Sequence, residues 1–235
     1  SKKTTRRKFL QHVTGGVIVP AVVKGTSPLD GSSSLIDRSS QNDLTAIINL
    51  ETGVTRPWLG SALWANRLQD WRLNDGRIEC LAGGQEDLGR TVGILTREIV
   101  SGEGAVHLRV LTGTLEMSGK GGFSGFLIGV GAGNLDYRSS ALAQKASGMD
   151  GGFWCGYESD GQIRFREHTD ERAPLAYREL SSEQTSEGFS PKRNLNEVVE
   201  LRLDIKLQSD GRFTVILNAL DAKTGEHLAG GIRRD

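Results

Sequence analysis

Val199-Glu200-Leu201-Arg202-Leu203-Asp204-Ile205-Lys206-Leu207 alternates apolar and charged residues without a break. A period of two puts Val199, Leu201, Leu203, Ile205 and Leu207 on one face of a strand and the four charged residues on the other. Ser209-Asp210-Gly211 follows, after which Phe213, Val215, Leu217 and Ala219 alternate with mostly polar neighbours. Alternation on both sides of an Asp-Gly turn predicts a β-hairpin with one buried face.

The same pattern occurs twice upstream. Trp71-Arg72-Leu73 and Ile78-Glu79-Cys80-Leu81 flank Asn74-Asp75-Gly76, and residues 153–157 and 163–165 flank Asp160-Gly161. Further strands are predicted at 92–98, 105–111 and 123–130, whereas 140–147 offers at most one or two helical turns. Eight or more strands joined by turns, with no helical crossovers, predict an all-β fold in which two antiparallel sheets pack as a sandwich. The 31 glycines against 5 prolines fit many tight turns. A hydrophobic fraction of 37% is enough, because a sandwich buries only alternate residues of each strand.

The N-terminus reads as an address rather than as part of the fold. Thr5-Arg6-Arg7-Lys8-Phe9-Leu10 precedes a mildly apolar stretch at 13–23 that is interrupted by Gly15, Gly16 and Pro20. This resembles the twin-arginine signal by which bacteria export folded proteins. The stretch is too short to span a membrane, which takes about 20 apolar residues. The competing reading is a basic terminus followed by an ordinary buried strand. On the first reading, 1–24 is the signal, 25–43 a flexible Ser-rich linker and 44–235 the sandwich. The mature protein is then periplasmic or secreted, with no membrane attachment. Gly231-Ile232-Arg233-Arg234-Asp235 comes soon after a turn at 221–226, with no later strand to cover the sheet edge. The gene is therefore expected to continue past Asp235.

Lys+Arg and Asp+Glu both number 29, and no basic cluster occurs outside residues 2–8. Such a chain has no global field to attract nucleic acid. Cys80 and Cys155 are the only cysteines. They form either a disulfide, which export permits, or two separate buried thiols. With no Cys-x-x-Cys they do not read as metal ligands, and no cofactor is expected in this chain.

Residues 131–170 hold the densest mixture of unusual side chains. Asp136 and Arg138 lie in Gly131-Ala132-Gly133-Asn134-Leu135-Asp136-Tyr137-Arg138, Trp154 follows a Gly151-Gly152 pair, and a strand runs over 162–168. On that strand Gln162, Arg164, Arg166 and His168 share one face, with Ile163 and Phe165 on the other. Two arginines and a histidine in a row can grip a phosphate or carboxylate. The plainer alternative is a solvated face paired across strands to Glu or Asp. Asp136, Arg138, Trp154, Arg164, Arg166 and His168 are the candidate ligand-binding residues.

Other chemistries fit less well. Gly131-Ala132-Gly133 has Asp136 where a dinucleotide fingerprint needs its third glycine, and no phosphate-loop lysine is present. A glycosidase needs two carboxylates about 5 to 9 Å apart across a cleft. Asp136, Asp150, Glu158, Glu167 and Asp170 are available, with Asp136, Glu158 or Glu167 meeting over Trp154 as the arrangement to look for. No Gly-x-Ser-x-Gly occurs, and His12, His107, His168 and His227 lie apart, which argues against a serine triad and against zinc. Trp58, Trp64 and Trp71 read as anchors of the first strands on the core; Trp154, next to the densest polar segment, is the better candidate of the four for stacking on a ligand, against the alternative of a core aromatic.

Arg56-Pro57-Trp58-Leu59-Gly60, Trp64-Ala65-Asn66-Arg67-Leu68-Gln69-Asp70-Trp71 and Asp75-Gly76-Arg77-Ile78-Glu79-Cys80 carry a family likeness. They resemble the N-terminal concanavalin A-like sandwich that precedes the catalytic domain in exported proteins of the alkaline phosphatase D family. Leu135-Asp136-Tyr137-Arg138 and the stretch 213–221 fit the same likeness, which covers 44–235. The resemblance implies a jelly-roll sandwich in a phosphatase or phosphodiesterase context, without the family's clustered Asp, Asn and His metal ligands. The chain would then be a non-catalytic accessory module that binds a glycan or phosphoester and adjoins a downstream phosphatase domain. The rival is a periplasmic glucanase-like glycoside hydrolase with paired carboxylates, although Glu-x-Asp-x-x-Glu does not occur.

Overall fold

The computed structural model describes residues 16–18, 22–26, 43–82, 90–94, 104–113, 115, 123–128, 153–168, 177–185 and 198–234. Among these residues the regular structure is β-strand throughout, apart from one 3-10 turn at Leu68–Asp70. The N-terminal strands are β1 (Gly16–Ile18), β2 (Val22–Thr26), β3 (Asp43–Ile47), β4 (Thr55–Arg56), β5 (Leu63–Ala65), β6 (Trp71–Asn74), β7 (Arg77–Cys80) and β8 (Val92–Ile94). There follow β9 (Gly104–Gly113), β10 (Phe123–Ile128), β11 (Phe153–Glu158), β12 (Ile163–His168), β13 (Tyr177–Glu179) and β14 (Glu183–Gln184). The chain closes on β15 (Val199–Leu207), β16 (Phe213–Asp221) and β17 (His227–Arg234).

All pairings are antiparallel. The largest sheet runs β14-β17-β16-β15-β9-β1-β7-β6-β4, with β2 beside β9 and β3 beside β2; β10-β11-β12-β13 forms a four-stranded sheet and β5-β8 a two-stranded one. The three predicted hairpins are present, each with the turn its sequence dictates. Asp75 and Gly76 both adopt positive φ (47° and 72°), the demand of a two-residue type I′ turn. At the other two, Gly161 and Gly211 share a φ of 85°. Asp160 Oδ1 accepts from the Gln162 amide, and Asp210 Oδ1 from the Arg212 amide, each at 3.1 Å. An aspartate that ties down the backbone two residues on, followed by a left-handed glycine, is a self-contained turn.

The four-stranded sheet packs face to face on β9, β15, β16 and β17. Cys155, Tyr157, Ile163 and Phe165 from one sheet meet Val199, Leu201, Leu203, Val215, Leu217, Ala219, Leu228 and Ala229 from the other in one apolar cluster. These are the predicted inward faces of β15 and β16, and burying each Leu there contributes about 1.5–3 kcal/mol. A second cluster, Ile48, Leu59, Leu63, Ala65, Trp71, Leu73, Ile78 and Cys80, fills the N-terminal hairpin region. The described residues of 44–235 thus form two apolar clusters. Cys80 lies in one and Cys155 in the other, so they are separate buried thiols and not a disulfide.

Paired strands lie near both ends of the described residues. Residues 227–234 form β17, which pairs along β16 and carries β14 on its far side. Gly230-Gly231 hides the strand from a search for β-branched residues. A Cβ at Gly231 would lie 2.8 Å from Ile163 Cγ2 and 2.9 Å from Phe165 Cε2, so the glycine lets the two sheets approach closely here. At the N-terminus, the backbone of 16–18 and 22–26 is paired, β1 with β7 and β9, β2 with β3 and β9. Arg6 and Arg7 lie outside the described residues.

Candidate functional site

The candidate strand face is built on β11 and β12. Trp154 stands opposite Arg166 and Gly156 opposite Arg164, so both arginines share the outward face with Trp154 and Glu158. Phe123, opposite Glu158 on β10, completes this face. Its ring meets Trp154 edge-on, with centroids 6.1 Å apart and planes at 78°, and the Arg166 guanidinium lies 6.0 Å from the Phe123 centroid. Gly156 makes this packing feasible: a Cβ there would sit 2.6 Å from Phe123 Cζ.

The charges on this face are spent on one another. Arg164 donates to Glu158, to Asp160 Oδ2 at 2.6 Å and to Gln162 Oε1 at 3.1 Å. Arg166 Nη2 lies 2.5 Å from Glu158 Oε1. The arginines expected to grip an anion are thus held by the chain's own carboxylates, as the plainer alternative requires. Burial pushes the Glu158 carboxyl above the usual glutamate value, with Asp160 adding to it, and the two guanidiniums offset this only in part. Arg164's hydrogen bond holds Asp160 below its usual value.

The other candidates fall in different places. Trp154 is buried rather than displayed, and its indole Nε1 is among the buried polar atoms without a hydrogen-bond partner. A buried ring offers no open face for sugar stacking, which corrects that expectation. Glu167 belongs to the face opposite Glu158 and pairs with Arg178. Glu158 and Glu167 are consequently not a dyad over Trp154. His168 is described only in its backbone, opposite Tyr177. Asp136, Arg138, Asp150, Asp170 and the stretch 140–147 lie outside the described residues.

A second charged network, which sequence reading missed, occupies the outer face of the opposite sheet. Arg109, Arg202, Asn218 and Gly230 stand directly opposite one another across β9, β15, β16 and β17. The adjacent row is Leu111, Glu200, Leu220 and His227. Glu200 is buried, its side chain 5% exposed, and takes hydrogen bonds from Arg109 Nη2 and Arg202 Nε. Burial pushes this carboxyl up, but the bonds and charges of the two arginines outweigh it and hold Glu200 below the ordinary value. Asn218 Oδ1 and His227 Nε2 are 3.2 Å apart, and His107 pairs with Asp204 one row along. The only sequence signal was the polar half of an alternating strand, because Arg109 joins it from 91 residues away.

The N-terminal tryptophans divide. Trp71 is core, as expected, and donates Nε1 to the Asn66 carbonyl at 2.8 Å. Trp64 Nε1 is buried without a partner. Trp58 departs from the expectation: it is 58% exposed, with the Arg56 guanidinium 5.0 Å from its ring centroid and Arg56 Nε donating to its carbonyl.

Among the described residues, no group of three or more His, Cys, Asp or Glu side chains is placed to hold a metal ion, and no helix is long and apolar enough to cross a membrane. No family model, no curated protein and no solved structure matches the chain.

Proposed function

We propose that this chain is an exported, non-catalytic β-sandwich module that binds a glycan or substrate, and the accessory N-terminal part of an alkaline phosphatase D-like metallophosphoesterase. The observation that carries the non-catalytic reading is the use of charge on β11 and β12. Arg164 and Arg166 are neutralised by Glu158 and Asp160, and Glu158 and Glu167 face opposite sides of the sheet. Charges consumed in this way hold a sheet together and leave no free acid–base pair among the described residues of this face. The motif likeness over 56–80 supports the phosphatase context and the concanavalin A-like jelly roll, and Arg6-Arg7 supports twin-arginine export. The full chain is expected to release no product from phosphomonoester, phosphodiester or β-glucan substrates above a blank, while a glycan array returns a bound subset. Turnover abolished by a point substitution within 44–235 would sink the reading. Fusing residues 1–24 to a folded reporter tests the route: export is expected to stop in cells lacking the twin-arginine translocase and in R6K/R7K.

One observation favours the hydrolytic rival. Glu158 is raised by burial while Asp160 is lowered by Arg164, and a pair of carboxyls pushed apart is what an acid and its partner need. Hydrolysis of a β-glucan by the full chain, lost in E158Q with the fold intact, would decide for that rival.

A further inference from the structure

We propose that the outer face of β9, β15 and β16 binds an oxyanion-bearing saccharide, with Arg109 and Arg202 taking the anion and Asn218 and His227 the neighbouring hydroxyls. This rests on the reading of the chain as a ligand-binding module and names its site and ligand class. Arg109 and Arg202 stand directly opposite each other on adjacent strands, a placement in which like charges repel. The buried Glu200 carboxylate bridges them from below, which shows that the pair is spaced to hold a carboxylate between two guanidiniums.

The bridge does not exhaust the arginines. Arg109 spends Nη2 on Glu200 and Arg202 spends Nε, while each side chain stays about half exposed, at 52% and 51%. The remaining guanidinium nitrogens of both have no partner among the described residues, so the row keeps donors that face water. Asp204, in the next row, is engaged by His107. Next along the row, Asn218 Oδ1 is turned to His227, so its amide hydrogens are available to an acceptor. Strands lie about 4.8 Å apart, so Arg109, Arg202 and Asn218 span about 10 Å in a line. A flat row of that length, cationic at one end and polar at the other, suits a small acidic sugar better than a bare ion.

The carboxylate and the phosphate ester share this chemistry, and the test separates them. The full chain is titrated with trigalacturonic acid, with glucose 6-phosphate and with neutral maltotriose, by calorimetry, at about 50 mM and about 500 mM salt. One or both acidic ligands are expected to bind, at least about tenfold more tightly than maltotriose and more weakly at high salt. R202Q and R109Q are each expected to weaken that binding about tenfold or more, N218A about threefold, while E200Q tightens it by unmasking the pair. R109Q keeps the Glu200–Arg202 contact, so it serves even if R202Q fails to fold.

Equal affinity for the neutral sugar, binding indifferent to both arginines, or no binding of either acidic ligand would each overturn the site. The two levels fail differently. A glycan-array ligand untouched by R109Q and R202Q overturns this site and leaves the module reading standing, whereas turnover overturns the module reading itself.

Discussion

The two outer faces of the sandwich each carry a pair of arginines, and they use them in opposite ways. On β11 and β12, Arg164 and Arg166 are matched by Glu158 and Asp160, and their side chains are only 17% and 29% exposed. On β9 and β15, Arg109 and Arg202 share the single carboxylate of Glu200 and stand about half exposed. Both sheets contribute to one apolar cluster between them, so the difference is one of stoichiometry and cover. Two carboxylates for two guanidiniums close a network onto itself; one carboxylate beneath two guanidiniums fixes them and leaves donors facing water. The carboxyl groups register the same contrast, with Glu158 raised by burial and Glu200 lowered by its arginines.

The bluntest way to break the comparison is to remove the core between the faces. F165A empties a fully buried position and is expected to cost about 3–5 kcal/mol in urea unfolding, loosening both networks together. A loss below about 1 kcal/mol would mean that the sheets are not held by this cluster.

The sharper test removes one carboxyl from each face. E200Q is expected to cost about 1–3 kcal/mol, since two opposed guanidiniums then share an amide oxygen. E158Q is expected to cost less, under about 1 kcal/mol, because burial already penalises the charged form of Glu158 and Asp160 still holds Arg164. The reverse order would dissolve the distinction.

Melting temperature against pH reads the same contrast without relying on size. The lowered Glu200 contributes stability that is present above the ordinary glutamate value, near about 4.3, and is lost as pH falls through its depressed value. The raised Glu158 acts oppositely. The folded chain keeps a proton that the unfolded chain has released, so stability declines as pH rises from the ordinary value to the elevated one. E200Q should flatten the acid limb and E158Q the decline above it. At the small end, E167Q breaks an ion pair in which Arg178 is 67% exposed, and unfolding is expected to move by less than about 0.5 kcal/mol.

Features held by neighbours in the chain were legible. The Asp-Gly turns carry their own geometry, Asp75 and Gly76 both at positive φ in the first and, in the other two, an aspartate bound two residues on with a glycine at positive φ, so the three hairpins follow from their sequences. The shared face of Arg164 and Arg166 was legible for the same reason, since a period of two needs no tertiary contact. What they touch was not, because Glu158 reaches them through the β11–β12 register. Trp154 is covered and Trp58 exposed, and composition does not say which of two aromatics a neighbouring sheet covers. β17 escaped because Gly230 and Gly231 look like a loop until Ile163, Phe165 and Thr185 are set against them.

By itself, then, the sequence determined that the chain is all-β and antiparallel, where its tight turns fall and which halves of β15 and β16 turn inward. These depend on backbone preference and on alternation over a few residues. Tertiary structure alone decided that β9 lies beside β15 and that Glu200 sits beneath two arginines. It also decided that Arg164 and Arg166 are neutralised and that the two cysteines are parted between two cores. Each of those depends on strand register across tens of residues. In such pairings a one-residue slip exchanges the faces, and only the packing of the whole sheet selects among the alternatives.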